Sequence, residues 1–364
     1  MRIALVVTGG VDRSGRERVI PALLSFIERL AEGQAVTVYA LRHHPEPCAY
    51  PLLGATVRDL GRPPGLAAQC LALVRALRQD GPYDIFHGMW AVPSGLLASV
   101  AGRWLRTPAV VTLDSGEFVR LPAVGYGLQR RRRDRFAVKA TLRLATRVTV
   151  CTDYMARLSR AHGVEPLVAP LGVDTRRFSP ADPPPGPPWR LLHVASLNPV
   201  KDQPTLLEAF ALLRRREPDV HLDIVGEDTL AGALQELTRR LRIEGAVTFH
   251  GFRSSDDLVA FYRRAHLLVS SSRHEAAGVV ALEAAACRVA TVGSAVGYVA
   301  DWSPDRALAV PPADPGALAD GIAALLQDRA RRERIADAAW NWAVAHDAGW
   351  TATYFERLYG EIRT

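Results

Sequence analysis

The stretch HLLVSSSRHEAAGVVALEAAA, residues 266–286, joins an aliphatic run to an alanine-rich run through a short polar loop. The aliphatic run predicts a buried strand, and the alanine-rich run predicts a helix that begins near Gly278. Glycine at that position lets the backbone approach a ligand closely. The acidic residues of the stretch are Glu275 and Glu283. A strand, a loop and a helix in this order form the repeating unit of an α/β sheet, so this stretch sets the fold class.

The same unit recurs on both sides of this stretch. Short apolar runs, which predict strands, occur at residues 2–8, 35–41, 84–88, 109–113, 147–152, 190–196, 220–226, 246–251, 266–271 and 289–293. Runs with the apolar spacing of an amphipathic helix occur between them at residues 18–33, 66–81, 94–106 and 204–217. Near-continuous apolar strands separated by helices predict parallel sheets that are covered on both faces.

A proline-rich segment, SPADPPPGPPW at residues 179–189, separates two sets of these units. Proline neither continues a helix nor donates a hydrogen bond in a central strand, so the segment predicts a stiff connector between domains. We therefore predict a Rossmann-like domain at residues 1–172, a linker at 173–189 and a second Rossmann-like domain at 190–345. A chain of 364 residues is long enough for two domains of ordinary size.

The composition is that of a globular protein, with 48% hydrophobic and 23% charged residues. No apolar run approaches the length of a bilayer span, and MRIALVVTGG at residues 1–10 predicts a buried strand rather than a signal peptide. The cysteines lack metal or redox spacing and predict small buried side chains in a reducing cytoplasm: Cys48, Cys70, Cys151 and Cys287. The net charge of +7 favours an anionic partner, and nucleotides, nucleic acids and anionic lipids all qualify.

Ligands of open parallel sheets bind beyond the carboxyl ends of the strands, which is where the loop before Gly278 is expected to lie. The first backbone amides of the helix that follows have no partner within the helix and carry partial positive charge, so they suit a diphosphate. Glu283 is placed to accept hydrogen bonds from ribose hydroxyls, and Glu275 is placed to hold hydroxyls of a sugar beyond the diphosphate. The alternative is that Glu275 caps the helix and Glu283 is solvated.

Two glutamates with seven residues between them resemble the hallmark of the retaining glycosyltransferases of family 4, which have the two-domain GT-B fold. Further segments that resemble the motifs of this family are TGGVDRSGRERVIPALL (8–24), FHGMWAVPSGLLAS (86–99), LGVDTRRFSP (171–180), VASLNPVKDQPTLLEAF (194–210), HLDIVGED (221–228) and VTFHGFRSSDDL (247–258). The resemblance covers nearly the whole chain. It implies an α/β protein of two doubly wound, Rossmann-like domains that face each other across a cleft, with a C-terminal helix at 346–364 that crosses back to the first domain.

The resemblance also assigns roles to single residues. It implies that Lys201 contacts the donor diphosphate and, as a mobile cation, stabilises charge on the leaving nucleotide. Other implied donor contacts are backbone amides of Gly278, Val279 and Val280 to phosphate or sugar, Phe252 and Arg253 along the base, and the glycine-rich loop of the first domain through Gly10 and Gly15. The alternatives are a surface lysine at position 201 and ordinary turn chemistry at the two glycines.

The chain departs from the family at several motif positions. Ser196 stands where an arginine is common in the lysine motif, and Asp202 stands where a glycine often follows the lysine. Asp114 replaces a frequent histidine near the sugar, and Arg288 and Ala290 replace a frequent glycine and proline after the second glutamate. These changes indicate a divergent subgroup that keeps its donor site. Phosphate binding is then expected to depend on Lys201, the helix terminus and another arginine, Arg13 or Arg16.

We take Glu275, Lys201 and Asp114 as candidate catalytic residues and Ser196 as a further donor-binding residue. His87 and Arg13 are candidate acceptor-side residues, and a buried structural role is the alternative for His87 and likewise for His274. LQRRRRDRF at residues 128–136 holds five arginines. It is either a solvated face or a patch for anionic lipid headgroups or a phosphorylated acceptor. Nucleic acid is not expected because no recognition motif accompanies the run.

These observations favour a retaining hexosyltransferase that moves a sugar from a nucleoside-diphosphate sugar to a hydroxyl of a glycolipid, polysaccharide or natural product. No cofactor beyond the donor substrate and no metal are expected, since no Asp-x-Asp triplet occurs. The expected location is the cytoplasm, with peripheral contact to the inner membrane face. The alternatives are a nucleotide-sugar epimerase or hydrolase on the same fold, a non-catalytic sugar-nucleotide binding protein and a basic nucleic-acid binder. The base, the sugar, the acceptor, the oligomeric state and the role of Arg130–Arg135 stay open.

Overall fold

Strands and helices alternate in the computed structural model, which describes residues 1–182 and 185–363. Their contacts divide the chain into two units. Unit 1 comprises Met1–Gly172 and the C-terminal helix that begins at Ala348, and unit 2 comprises Val173–Asp347. Pro183 and Pro184 of the predicted linker lie outside the described residues.

The strands and helices have the following bounds. The strands are β1 (Arg2–Val7), β2 (Ala35–Ala40), β3 (Pro47–Leu52), β4 (Ala55–Leu60), β5 (Ile85–Met89), β6 (Ala109–Leu113), β7 (Arg147–Val150), β8 (Leu167–Val168), β9 (Trp189–Val194), β10 (Val220–Val225), β11 (Val247–Phe249), β12 (Leu267–Ser270), β13 (Ala290–Ser294) and β14 (Leu308–Val310). The helices are α1 (Pro21–Ala31), α2 (Gly65–Asp80), α3 (Leu96–Leu105), α4 (Arg132–Leu144), α5 (Asp153–Ala161), α6 (Gln203–Arg214), α7 (Ala233–Leu241), α8 (Ser255–Arg264), α9 (Val279–Ala286), α10 (Gly297–Trp302), α11 (Pro315–Gln327), α12 (Arg329–Ala345) and α13 (Ala348–Arg363). Short helical turns occur at Ala91–Gly95, Pro122–Val124, Leu128–Arg130 and Glu244–Ala246.

Each unit is built on one doubly wound sheet. The strand order is β3-β4-β2-β1-β5-β6-β7-β8 in unit 1 and β11-β10-β9-β12-β13-β14 in unit 2. From β4 to β8, and through all of unit 2, the recorded strand pairs are parallel. The strand order reverses between β1 and β5 in unit 1 and between β9 and β12 in unit 2. These orders confirm the predicted doubly wound α/β class.

One edge of the sheet of unit 1 departs from the predicted parallel pattern. β3 pairs with β4 in the antiparallel direction, from Pro47 opposite Leu60 to Leu52 opposite Ala55. Proline suits an edge strand because it has no backbone N–H to donate. The two-residue turn that joins the strands begins at Leu53, and both of its residues have positive φ, 48° and 79°, as tight hairpins require. Prolines hid this strand from an analysis based on apolar runs.

The side chains of β1 pack against helices on both faces of the unit 1 sheet. Alternate residues from Ile3 to Val7 pack with α1 and α13. Ala4 and Val6, between them, pack with α2 and α3 on the other face. In unit 2, one large cluster joins β9, β10, β12 and β13 to α6, α11 and α12. Helices on both faces explain why the strands are apolar throughout rather than alternating with polar residues.

Among the helices of residues 1–182 and 185–363, none combines the length and the hydropathy needed to cross a membrane. The longest, α12, spans 17 residues and carries several arginines along Arg329–Ala345.

Candidate functional site

Two loops of unit 2 follow the strands on either side of the reversal in strand order. The first, residues 195–202, follows β9, and the second, residues 271–278, follows β12. β9 and β12 are paired neighbours, with Leu191 opposite Leu267. The carboxyl ends of parallel strands at a reversal in strand order form the crevice in which ligands of this fold class bind. The predicted lysine and the predicted glutamate therefore share one crevice at this edge.

Lys201 and Glu275 form an ion pair across these loops. The Nζ atom of Lys201 donates to Oε1 of Glu275 over 2.5 Å, and the hydroxyl of Ser272 donates to the same oxygen over 2.6 Å. Burial alone would raise the pKa of Glu275, but Lys201 and Ser272 hold that pKa below its usual range. Glu275 is therefore an ionised carboxylate that accepts from a lysine and a hydroxyl. The N-cap position of α9 is taken by Gly278, three residues after Glu275, so Glu275 is not the N-cap residue.

Hydrogen bonds fix the backbone on both sides of Lys201. The side-chain oxygen of Asn198 accepts from the backbone N–H groups of Val200 and Lys201 over 3.1 and 3.2 Å. The hydroxyl of Ser271 donates to the carbonyl of Lys201 over 2.8 Å, and the N–H of Arg273 donates to the carbonyl of Val200 over 2.8 Å. The lysine loop and the glutamate loop are thus joined by one main-chain hydrogen bond and by one from the Ser271 hydroxyl. The side chain of Lys201 remains 27% exposed.

Asp202, one of the departures from the family, has a structural explanation. Its backbone lies in the left-handed region at φ 51°, a conformation that glycine adopts without strain. Its carboxylate accepts from the hydroxyl of Thr205 over 2.8 Å and lies 2.5 Å from Nε of Arg273 as an ion pair. Nε of Arg273 makes no hydrogen bond of ordinary geometry, so its contact with the carboxylate is mainly electrostatic. Arg273 therefore ties Asp202, next to Lys201, to the loop that carries Glu275.

The N-terminus of α9 is the accessible part of that helix. Gly278 has φ 77° at the N-cap, and Val279 and Val280 are partly exposed, whereas the helix is buried from Ala281 to Ala286. The amides of this first turn are the ones that lack partners within a helix. Gly297 packs directly against the loop before α9. A Cβ atom at Gly297 would lie 2.4 Å from the carbonyl oxygen of Ala277, so a larger residue would displace this loop.

Glu283 is buried in α9, with 4% of its area exposed, which excludes the solvated alternative. The hydroxyl of Tyr262 donates to its Oε2 atom over 2.6 Å. Burial raises the pKa of Glu283 to about 7, in spite of the hydrogen bond from Tyr262. The predicted contact to ribose is not tested by these distances and stays a prediction.

The remaining predicted donor residues of unit 2 also follow strands. Ser196 is exposed after β9, and its carbonyl accepts from the side-chain amide of Gln203 over 3.2 Å. Phe252 and Arg253 follow β11, and the ring of Phe252 is 50% exposed. A guanidinium N–H of Arg253 donates to the carbonyl of Phe252 over 3.1 Å. An exposed aromatic ring beside a cation can stack on a base.

The glycine-rich loop of unit 1 follows β1 and is closed by a bridge between Val11 and Val19. Gly10 and Gly15 both have positive φ, 81° and 63°, so this loop uses the freedom that glycine provides. Arg13 lies at its exposed tip, with its guanidinium 5.3 Å from the centroid of the Tyr50 ring.

Acidic residues follow β6 in unit 1. Asp114 is partly buried, and its Oδ1 atom accepts from the thiol of Cys151 over 2.9 Å. Glu117, which sequence analysis missed, is fully buried and accepts from the N–H groups of Ser115 and Ala91 over 2.8 and 3.3 Å. Burial raises the pKa of Glu117 to about 7. Its only sequence signal was an acidic residue shortly after a strand.

A cavity of about 490 Å³ opens beside these acidic residues. Its lining includes Glu117, Trp90, Tyr126, Arg130 and Arg131. With Asp134, which also lines it, the cavity combines aromatic rings with two carboxyl groups and two guanidinium groups, a mixture suited to a polar small molecule.

His87 has the structural role that sequence analysis left as its alternative. The ring is fully buried in β5, with Nδ1 2.6 Å from the hydroxyl of Tyr359 and Nε2 2.7 Å from the hydroxyl of Thr112. Burial lowers the pKa of His87 to about 3, so the ring is neutral. With both nitrogens bonded inside unit 1, His87 supports α13 and β6, and the predicted acceptor contact is wrong for this residue.

Both units of the chain match families of known proteins. Residues 19–172 match the family described as Glycosyl transferase 4-like domain, and residues 174–342 match Glycosyl transferases group 1. The D-inositol 3-phosphate glycosyltransferase 2 of Catenulispora acidiphila is 31% identical over 335 residues, which cover 84% of this chain and 76% of that protein. The chain belongs to the group 1 glycosyltransferases.

Solved structures share the fold of this group 1 glycosyltransferase. Sucrose-phosphate synthase from Thermosynechococcus elongatus superposes with a TM-score of 0.84 at 21% identity, over 100% of this chain and 99% of that chain. Anabaena HepE in complex with UDP-glucose superposes with a TM-score of 0.78 at 17% identity, over 99% of this chain and 100% of that chain. These likenesses confirm the predicted GT-B fold, and the family matches confirm the predicted glycosyltransferase family.

Within this group 1 glycosyltransferase, direct contacts join Lys201 to Glu275, and a Cβ atom at Gly278 would lie 3.5 Å from Glu275. Of the other predicted donor residues of unit 2, Ser196 follows β9 and Phe252 and Arg253 follow β11, at the same sheet edge, while Val279, Val280 and Glu283 lie in α9 after β12. Arg273 and Gly297 position the central loops but were missed, because their partners are remote in the sequence.

Proposed function

We propose that this glycosyltransferase moves a sugar from a nucleoside-diphosphate sugar to an acceptor hydroxyl with retention of configuration at the anomeric carbon. The observation that carries the proposal is the Lys201–Glu275 ion pair of 2.5 Å beside the N-terminus of α9, at the reversal of strand order in unit 2. The ammonium of Lys201 and the first amides of α9 can bind the diphosphate of a nucleotide sugar. The carboxylate of Glu275 beside them can accept hydrogen bonds from the hydroxyls of its sugar.

In this proposal the donor diphosphate accepts from the amides of Val279 and Val280 and from Lys201. Binding exchanges the partner of Lys201 from Glu275 to a phosphate oxygen, which leaves the carboxylate of Glu275 to accept from sugar hydroxyls. Glu283 accepts from the ribose hydroxyls. Ser196 donates to phosphate, and Phe252 and Arg253 line the base. The HepE structure holds UDP-glucose, so UDP-sugars are the first donors to test.

The transfer step follows from this placement of charge. The bond between the anomeric carbon and the phosphate oxygen breaks, and a bond from the same carbon to the acceptor oxygen forms on the same face of the sugar. The leaving phosphate takes the proton of the acceptor hydroxyl. Lys201 stabilises the charge that develops on the diphosphate, and the helix amides add to this effect, so the diphosphate needs no metal ion.

Unit 1 supplies the acceptor site in this proposal. Asp114 orients the acceptor hydroxyl, and the cavity beside Glu117 encloses the acceptor, with Arg130 and Arg131 available for an anionic substituent. The named acceptor of the Catenulispora relative is an inositol phosphate, which favours a phosphorylated acceptor here. Arg13 at the tip of the glycine-rich loop is a further cation for it.

The proposal is tested by thermal unfolding of the full chain with nucleoside diphosphates, then by product analysis. At a concentration 100 times its Kd, the matching nucleotide is expected to add about 2.7 kcal/mol to the free energy of unfolding and raise Tm by about 5 °C. Inorganic diphosphate at the same concentration is the control. Retained anomeric configuration in the glycoside product supports transfer. A free sugar as the product favours the epimerase or hydrolase alternative, binding without turnover favours the non-catalytic alternative, and no shift with any nucleotide contradicts a donor site.

We also propose a peripheral contact of unit 1 with the anionic inner face of the cytoplasmic membrane. The exposed side chains of α4 recur at helical spacing and form the α4 stripe, which comprises Arg132, Phe136, Lys139 and Arg143. Phe136 is 78% exposed, which is unusual for a phenylalanine. Basic side chains around an exposed aromatic ring match an anionic membrane surface, where each basic residue contributes about 1 kcal/mol.

Replacing Arg132 and Lys139 with serine is therefore expected to lower partitioning onto vesicles that contain anionic lipid about 30-fold, because two such contributions are lost. Sedimentation with the vesicles measures the bound fraction. Serine replacements of the exposed Arg240 and Arg334, which remove the same charge from unit 2, are the control. If the two double variants partition onto the vesicles equally, the α4 stripe does not bind the membrane.

A further inference from the structure

A second cluster of ligand-forming side chains lies in unit 1. Asp12 belongs to the glycine-rich loop after β1, and His43 and His44 follow β2, which is the paired neighbour of β1. Each residue offers one oxygen or nitrogen atom, and these three atoms all lie within 4.8 Å of one another. Two imidazoles and a carboxylate form a donor set typical of transition-metal sites.

The separation and the burial of Asp12 and His43 fit two ligands of one metal ion. Oδ2 of Asp12 lies 3.2 Å from Nε2 of His43, and these side chains are only 9% and 7% exposed. Two ligands of a tetrahedral zinc ion, each about 2.1 Å from the metal, lie about 3.4 Å apart. The observed separation therefore needs little adjustment to hold a metal ion.

The ring of His44 supplies an independent observation. Its Nε2 atom is buried and has no hydrogen-bond partner. A buried polar atom without a partner is unfavourable by about 1–3 kcal/mol and is uncommon in proteins. The residue is otherwise held in place, because its backbone N–H donates to Asp59 over 2.9 Å and its ring packs on the edge of the Tyr50 ring at 5.8 Å. A bound metal ion would give this nitrogen a partner.

The charge at Asp12 also favours a cation. The backbone N–H of Ser14 donates to the Oδ1 atom of Asp12 over 3.0 Å, and its Oδ2 atom faces Nε2 of His43. The guanidinium of Arg18 donates to the Oδ2 atom of Asp12, yet the side chain of Arg18 is 62% exposed and can turn into solvent when a metal ion takes its place.

We propose that Asp12, His43 and His44 bind one transition-metal ion of the zinc class, which fastens the glycine-rich loop of unit 1 to the end of β2. Imidazole ligands select zinc, iron, cobalt, nickel or copper over magnesium and calcium. With three protein ligands, the fourth coordination position of the ion is open to a water molecule or an exogenous ligand. The three ligands all belong to unit 1, and the site does not depend on the proposed transfer reaction.

The test uses the full chain after removal of metals with a chelator and gel filtration. Titration calorimetry with zinc and visible absorption with cobalt, whose d–d bands report its geometry and ligands, are expected to show one ion per chain. His44→Phe and Asp12→Asn are each expected to weaken zinc binding about 100-fold, or about 2.7 kcal/mol. His162→Phe, which changes an exposed histidine of unit 1, is the control and is expected to leave the affinity unchanged.

The phenylalanine variant separates metal binding from folding. It keeps a ring against Tyr50 and removes the unpaired nitrogen, so the metal-free variant is expected to unfold at the same or a higher denaturant concentration than the metal-free wild type. Zinc is expected to raise the denaturation midpoint of the wild type and of His162→Phe, but not of His44→Phe. No stoichiometric binding by the wild type, or equal binding by His44→Phe, overturns the site. Nucleotide binding by the metal-free chain is measured separately, so failure here and failure of the donor site are distinguishable.

Discussion

Lys201→Ala is expected to lower the turnover number for sugar transfer by about 100- to 1000-fold, the range found when a single group that stabilises transition-state charge is removed. The lysine ammonium lies at the end of a flexible side chain that is 27% exposed, so after it has exchanged Glu275 for the bound diphosphate it can follow the charge that develops on the leaving group. Its effect belongs mainly to the transition state, and KM for the donor is expected to change much less than the turnover number. Initial rates over a range of donor concentrations measure both quantities.

Two companion variants make this result specific. Arg240→Ala removes an exposed cation from α7 of the same unit and is expected to retain wild-type turnover. Lys201→Arg keeps the charge but replaces a compact ammonium with a planar group, and an intermediate turnover is expected. A turnover number of Lys201→Ala within threefold of wild type, with unchanged thermal unfolding, would show that charge on the leaving group is stabilised elsewhere.

The position of this lysine was predictable because it depends on local patterns. Apolar strands and amphipathic helices alternate regularly, so two parallel α/β domains and the loops after β9 and β12 were predictable. The order of the strands in each sheet was not predicted and comes from the structure. The start of α9 at Gly278 was equally local, since the aliphatic strand, the polar loop and the alanine-rich helix follow each other within one stretch. The structure shows that β9 and β12 are neighbours, and because the ends of adjacent parallel strands meet, this pairing brings Lys201 and Glu275 together.

Other features depend on pairs of residues that are remote in the sequence. Asp202 looks like the loss of a glycine until Arg273 is seen beside it, and His87 looks accessible until Tyr359 of α13 occupies one of its ring nitrogens. Neither partner belongs to a local pattern that hydrophobic periodicity can detect. β3 was missed for a different reason, because its prolines are typical of loops and are tolerated only at a sheet edge.

Glu283→Gln is expected to weaken binding of the nucleoside diphosphate about 10- to 100-fold, because hydrogen bonds to a charged carboxylate contribute about 1.5–3 kcal/mol. The ribose hydroxyls are donors in the proposed complex, so the ionised form of Glu283 is the one that binds. Since burial raises the pKa of Glu283 to about 7, the affinity of the wild type is expected to rise from pH 6 to pH 8 and then level off. The glutamine variant is expected to show no such rise, and isothermal titration at several pH values measures both.

The raised pKa of Glu283 predicts the opposite pH dependence for the stability of the free protein: stability falls as pH rises. A pKa of about 7 in the folded state, against an ordinary value of 4.5, means that the folded chain binds the proton more tightly than the unfolded chain. The free energy of unfolding of the wild type is therefore expected to fall by about 3 kcal/mol, relative to that of Glu283→Gln, as pH rises from 4.5 to 7. Urea unfolding of both proteins across this range isolates Glu283, because the other titrating groups are common to both. A constant difference would mean that Glu283 is already ionised in the folded chain, and donor affinity would then lose its predicted dependence on pH.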